Sequence, residues 1–175
     1  MSIVPSLPPL TLVLGGARSG KSRHAEALIM ALPPPWVYLA TASAGDSEMR
    51  ERIEAHRSRR GPEWRTVEEP FDLSGALLTH ARDGMPVLVD CLTLWLSNLM
   101  LYNHDVGPDI VRLIETLPGL GGPVVMVSNE IGLGIVPDNP LARAFRDHAG
   151  RLHAGVAECA NRVQFMLAGL AMTVK

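Results

Sequence analysis

Gly15-Gly16-Ala17-Arg18-Ser19-Gly20-Lys21-Ser22 stands directly after the apolar run Leu10 to Leu14 and at the start of a helical pattern, Lys21 to Leu32. The spacing is G-x-x-x-x-G-K-[ST], and a strand before it with a helix after it is the setting in which that spacing cradles phosphate. The glycines let the backbone bend so that successive N–H groups and the helix N-terminus converge on phosphate oxygens. Lys21 adds a mobile positive charge, and Ser22 offers a hydroxyl to Mg²⁺. Of the 16 basic residues 14 are arginine; the two lysines are Lys21 and Lys175. A chain that otherwise uses arginine places the compact ammonium where a planar guanidinium would not fit the same cradle.

Outward from this loop, short apolar or β-branched runs alternate with longer helical patterns, as in a parallel sheet flanked by helices. The expected strands are Leu10 to Leu14, Trp36 to Thr41, Arg65 to Glu68, Val87 to Cys91, Val124 to Ser128, Arg162 to Leu167 and Ala171 to Lys175. The last follows Gly169 closely enough to return as an antiparallel edge strand. Helices are expected over Lys21 to Leu32, Glu48 to Arg60, Leu92 to Asn103, Asp109 to Leu117 and Leu141 to Ala160. The loop and the alternation together predict an α/β, three-layer P-loop NTPase-like (RecA-like) fold. Met1 to Pro9, with three prolines, reads as a flexible leader before one domain spanning 10–175. Gly132 to Pro140, long and glycine-rich after the Val124 to Ser128 strand, lies where such folds place ligand contacts.

At 47% hydrophobic and 19% charged the chain is too apolar for disorder, and a net charge of −2 gives no broad basic surface for nucleic acid. Cys91 and Cys159 form no CxxC pair and no closely spaced ligand set, so they read as free thiols. Val87 to Tyr102, interrupted by Asp90 and Asn98, falls short of the roughly 18 uninterrupted apolar residues of a membrane span. The expected location is cytoplasmic.

Asp90 closes the run Pro86-Val-Leu-Val. An acidic residue at that place holds Mg²⁺ directly or through water in many phosphate-loop enzymes; the competing reading is an N-cap for the helix starting at Leu92. In the second helical pattern Met49, Ile53 and His56 share one face, so the imidazole points inward or into a cleft. A hydrogen-bonded core histidine is the commoner meaning of that spacing. Arg52, Arg59 and Arg60, one turn away, suit a phosphate instead. His24, His80, His104, His148 and His153 have no comparable context.

Several further motifs occur in one order: Gly15 to Glu26, Tyr38-Leu-Ala-Thr41, Glu48-Met49, Arg52-Ile53, His56-Arg57, Trp64-Arg-Thr66, Glu68, and Asn129-Glu-Ile-Gly-Leu-Gly-Ile-Val-Pro137. With Leu141-Ala-Arg143, Phe145-Arg-Asp147 and Gly150-Arg151 the chain resembles the bifunctional adenosylcobinamide kinase / adenosylcobinamide-phosphate guanylyltransferase family of cobalamin biosynthesis. The resemblance implies two reactions. The aminopropanol hydroxyl of adenosylcobinamide is phosphorylated from ATP or GTP; GMP then passes from GTP to that phosphate through a guanylylated histidine, here His56. It also implies a nucleotide site formed by Gly15, Gly16, Ala17, Arg18, Ser19, Gly20, Lys21 and Ser22 with Thr41, Ala42, Ser43, His56, Arg57, Ser58, Arg59, Glu68 and Asp90. Mg²⁺ would sit on Ser22 and Asp90, and the assembly would be a homotrimer. Two departures are His153-Ala154, where relatives tend to carry Asn-Gln, and Asp90, where a glutamate can occur. The alternatives are a simpler P-loop small-molecule or nucleotide kinase with a structural His56, and a nucleotide-dependent switch.

Overall fold

The computed structural model describes residues 7–42 and 61–175. In chain order these residues form β1 (Leu10–Gly15), α1 (Lys21–Met30), β2 (Trp36–Ala40), β3 (Trp64–Glu68), α2 (Leu73–His80), β4 (Val87–Asp90), α3 (Leu92–Leu101) and α4 (Val106–Thr116). A 3₁₀ turn (Leu117–Gly119), β5 (Val124–Asn129), α5 (Pro140–Cys159), β6 (Arg162–Leu167) and β7 (Leu170–Thr173) follow. The seven strands make one sheet in the order β3-β2-β4-β5-β1-β6-β7. Every pairing is parallel except β6 with β7, as the alternation and the late Gly169 turn require.

Strand alternation divides the core into two layers. Leu10, Leu12, Val37, Leu39, Val87, Val89, Val124 and Met126 face α2, α3, α4 and α5 and join the larger cluster around Trp95, Leu96 and Leu113. Val13, Tyr38, Ala40, Leu88, Val125 and Val127 face the other way, where α1 supplies Ala25 and Ile29. Because both faces are covered, the central strands read as continuous apolar runs, each fully buried Leu or Val stabilising by about 1.5–3 kcal/mol. Leu7 packs on the second cluster and the Pro9 carbonyl accepts from Val124 N–H at 2.8 Å, so β1 is anchored from its first residue.

Several elements differ from the sequence expectation: α1 ends at Met30 instead of Leu32, α3 at Leu101 instead of Asn103, and β7 spans Leu170–Thr173 instead of Ala171 to Lys175. α2 was not expected at all; Asp72 caps it, its side chain accepting from Gly75 N–H at 3.1 Å. α4 begins at Val106, not Asp109, because Pro108 falls in the first turn, where a missing N–H costs nothing. β4 ends at Asp90, and Cys91 stands in extended conformation as the N-cap of α3. The expected Glu48 to Arg60 helix lies outside the described residues.

Candidate active site

Parallel strands bring their carboxyl ends to one edge, and there the Gly15 to Ser22 loop joins β1 to α1. Gly15 has φ +154°, and a Cβ on it would stand 2.7 Å from the Met166 carbonyl and 2.8 Å from Ser19 Oγ. Gly20, at φ +95°, is the left-handed residue that turns the chain into α1. A side chain at either position would close the loop or strain it. Residues 18–23 line a cavity of about 260 Å³, onto which the free N–H groups at the start of α1 open. Among the described residues the Ser19 hydroxyl is buried without a hydrogen-bond partner, an orphaned donor inside the loop.

Lys21 is only 7% exposed, and its Nζ donates to the Gly16 carbonyl at 2.6 Å. Burial pushes its pKa below the ordinary lysine value; the fields of Cys91 and Asp90 pull the other way. This places the lysine, the carboxylate and the thiol at one corner. Asp90 reaches that corner at the end of β4, with the Tyr38 hydroxyl donating to its Oδ2 at 2.8 Å. The N-cap position of α3 is Cys91, not Asp90, and it carries no side-chain cap hydrogen bond. Burial pushes the Cys91 thiol up to about 11, the Asp90 carboxylate adds to the rise, and the Leu94 and Thr93 N–H groups and the Thr93 hydroxyl work against it. Cys91 is therefore a neutral thiol at pH 7.

Thr41 has no exposed surface. Its hydroxyl donates to the Cys91 carbonyl at 2.7 Å and accepts from Cys91 N–H at 2.9 Å, and its own carbonyl accepts from Asn98 Nδ2 at 2.7 Å. Thr41 thus clamps the end of β2 to the Asp90–Cys91 junction. Ala42 follows it, half-buried. Glu68 is exposed at the end of β3, in register with Ala40. Four strand spacings separate β3 from β1, or roughly 19 Å across the sheet. Ser43, His56, Arg57, Ser58 and Arg59 lie outside the described residues.

The sequence reading missed a buried polar network beside this corner. Ser128 Oγ, fully buried at the end of β5, lies 2.7 Å from His153 Nε2 and 3.0 Å from Thr93 Oγ1. Thr93 Oγ1 accepts from Asn129 N–H at 2.7 Å, and Glu130 Oε2 stands 3.7 Å from His153 Nδ1. No local pattern announces it, because its members come from α3, the end of β5 and α5.

Among the described residues no group of three or more His, Cys, Asp or Glu side chains is placed to hold a metal. Asp90 and Ser22 supply hard oxygen donors at one edge, which fits an ion that keeps most of its waters and binds phosphates. No helix of the described residues is long and apolar enough to cross a membrane. A larger cavity, about 410 Å³, opens beside Trp36, Arg65, His80 and Arg82, near the amino ends of β2 and β3 and so away from the phosphate loop.

Comparison with solved structures agrees with this architecture. An ATPase of a type III secretion system from pathogenic bacteria superposes with a TM-score of 0.60 at 9% identity, over 94% of this chain and 56% of that one. The flagellar accessory protein FlaH of Methanocaldococcus jannaschii superposes with a TM-score of 0.54 at 10% identity, over 98% of this chain and 81% of that one. A further ATPase domain superposes with a TM-score of 0.50 at 12% identity, over 90% of this chain and 69% of that one. These likenesses establish the P-loop ATPase type of fold. In sequence, the bifunctional adenosylcobalamin biosynthesis protein CobP of Pseudomonas aeruginosa is 51% identical over 166 residues, 94% of this chain and 96% of that protein. The bifunctional adenosylcobalamin biosynthesis protein CobU of Escherichia coli is 40% identical, over 95% and 99%. The family model for cobinamide kinase / cobinamide phosphate guanyltransferase matches residues 11–174, nearly the whole chain. With a phosphate loop of the right geometry and relatives matched end to end, the chain is an enzyme that belongs to the cobinamide kinase / cobinamide phosphate guanyltransferase family.

Proposed function

We propose that the enzyme phosphorylates the aminopropanol hydroxyl of adenosylcobinamide from ATP or GTP and then transfers GMP from GTP to the new phosphate, giving adenosylcobinamide-GDP and pyrophosphate. The observation that carries the reading is the phosphate loop, with Lys21 bonded to the Gly16 carbonyl within it and in the field of Asp90, in a chain matched over nearly its full length by that family. In the first step the loop N–H groups and Lys21 hold the triphosphate while the substrate hydroxyl attacks the γ-phosphorus, and the nucleoside diphosphate leaves. In the second, a His56 ring nitrogen attacks the α-phosphorus of GTP and expels pyrophosphate. An oxygen of the substrate phosphate then attacks the same phosphorus, breaks the P–N bond and returns His56 to its free form. Mg²⁺, held by Asp90 and Ser22 when bound, offsets charge on the phosphate oxygens.

Gly15 to Ser22, Ala42, Ser43, Arg57, Ser58, Arg59 and Glu68 contact the nucleotide in this reading. Thr41 acts through the position of Cys91. By the same resemblance the enzyme is a cytoplasmic homotrimer, which light scattering tests directly. The chemistry is tested by incubation with GTP labelled at the α-phosphate. Acid-labile, base-stable label on the chain, lost on adding the phosphorylated corrinoid, supports the covalent route. Kinase turnover with no label would leave a simple P-loop kinase.

A further inference from the structure

His153 lies on α5, across from Ser128, and neither residue belongs to the nucleotide site as proposed. The two are nonetheless joined to it. Burial holds the His153 pKa below the ordinary histidine value, with the Glu130 carboxylate pulling weakly the other way, so the ring is neutral at pH 7. Glu130 faces Nδ1, which assigns the ring proton to that nitrogen and leaves Nε2 as an acceptor. Ser128 must then donate to Nε2, and because that uses its one hydroxyl proton, Thr93 must donate to Ser128, while Thr93 Oγ1 accepts from Asn129 N–H. In this state every hydroxyl proton runs inward, away from the phosphate loop.

Adding a proton at Nε2 reverses the chain. The imidazolium donates to Ser128, Ser128 donates to Thr93, and the Thr93 proton, with both inward partners now donors, turns outward. Outward from Thr93 is the Cys91 thiol, whose neighbours are Asp90 and Lys21. We propose that His153, acting through Ser128, sets the direction of the Thr93 hydroxyl and so tunes how the Lys21, Asp90 and Cys91 corner receives a triphosphate. His153 is a positioning residue in this account. The inference rests on the proposed use of that corner for nucleotide.

The surroundings isolate the switch. Among the described residues Glu130 is the charged group that acts on His153. β1 and α3 carry no ionisable side chain; on α4 Arg112 and Glu115 are exposed, and the half-buried Asp109 is paired with Arg112 at 2.8 Å. On α5 itself Arg143, Arg146 and His148 are half-buried and Asp147, Arg151 and Glu158 are exposed. Protonation adds positive charge and an outward donor together, and both favour an anionic ligand. By linkage, the ligand must favour protonation equally.

The test follows the His153 ring by NMR between pH 5 and 8.5, with and without guanosine 5′-(α,β-methylene)triphosphate, whose α-phosphorus cannot pass to His56, and Mg²⁺, and follows affinity by calorimetry. The signal is assigned by its loss in His153→Gln. Saturation is expected to raise the titration midpoint by about half a pH unit, equivalent to about threefold in affinity on acidification relative to His153→Gln. In Ser128→Ala, where His153 still titrates but the chain of hydroxyls is cut, most of that rise should vanish. An unmoved midpoint overturns the inference, and so does a full rise in Ser128→Ala, which would mean a field acting through space. Because the readout is binding of a triphosphate, a wild-type protein that turned over neither corrinoid reaction would overturn the proposed function without altering this result.

Discussion

The Tyr38 hydroxyl donates to Asp90 Oδ2 at 2.8 Å across two neighbouring strands, β2 and β4, and so fixes a carboxylate that would otherwise rotate freely at the rim of the phosphate loop. One oxygen of the carboxylate is held by this bond. Asp90→Asn is therefore expected to lower Mg²⁺-dependent turnover by about 100-fold or more while metal-free nucleotide affinity changes little. Tyr38→Phe should cost about 0.5–1.5 kcal/mol of stability and lower turnover far less. Kinetics at several Mg²⁺ concentrations, with a melting curve for each variant, check both.

Lys21 is held below its ordinary pKa by burial, so the unfolded chain binds this proton more tightly than the folded one does. The sign follows: this contribution to stability is full above 10.5 and falls as pH drops from 10.5 through the lowered native value. Lys21→Met should abolish triphosphate use in both reactions yet leave the melting temperature at pH 7 unchanged or raised. A fall in melting temperature would mean that the bond to Gly16 outweighs the burial penalty.

Thr41→Val keeps the shape of the side chain and deletes the hydroxyl that satisfies both Cys91 main-chain groups. Leaving the buried Cys91 N–H unpaired should cost about 1–3 kcal/mol. Thr41→Ser, which retains the hydroxyl, should recover most of it. Urea unfolding of the two variants measures the difference.

His56→Ala separates the half-reactions. Loss of the covalent GMP adduct and of guanylyl transfer is expected, with at least part of the kinase rate retained, because in-line phosphoryl transfer needs no protein nucleophile. Equal loss of both activities would make His56 a general positioning group.

The sheet was readable because its strands are covered on both faces and show as unbroken apolar runs, and the phosphate loop because its spacing is itself the geometry. α2 was not readable. Leu73-Ser-Gly-Ala-Leu-Leu-Thr-His80 is short, carries Gly75 near its middle and lacks a clear polar stripe; its one signal was Asp72 at the cap. Pro108 hid the first turn of α4 in the same way. His153 has nothing in its neighbours along the chain to mark it, since Ser128 is 25 positions away and becomes its partner only when α5 packs back over the sheet.

The strand that bears the phosphate loop is the first one synthesised, and its two neighbours, β5 and β6, are made more than a hundred residues later. At roughly 5–20 residues per second, β1 waits about 5 to 20 seconds before either edge is covered. During that interval neither the Val124 to Asn129 backbone nor the Met166 carbonyl against Gly15 is present to shape the loop. A nascent chain stalled before residue 124 should retain no nucleotide on the ribosome, and one extended past the carboxyl end by a linker should. Translation order thus acts as a timer: the enzyme acquires its grip on triphosphates only once β5 and β6 have been made.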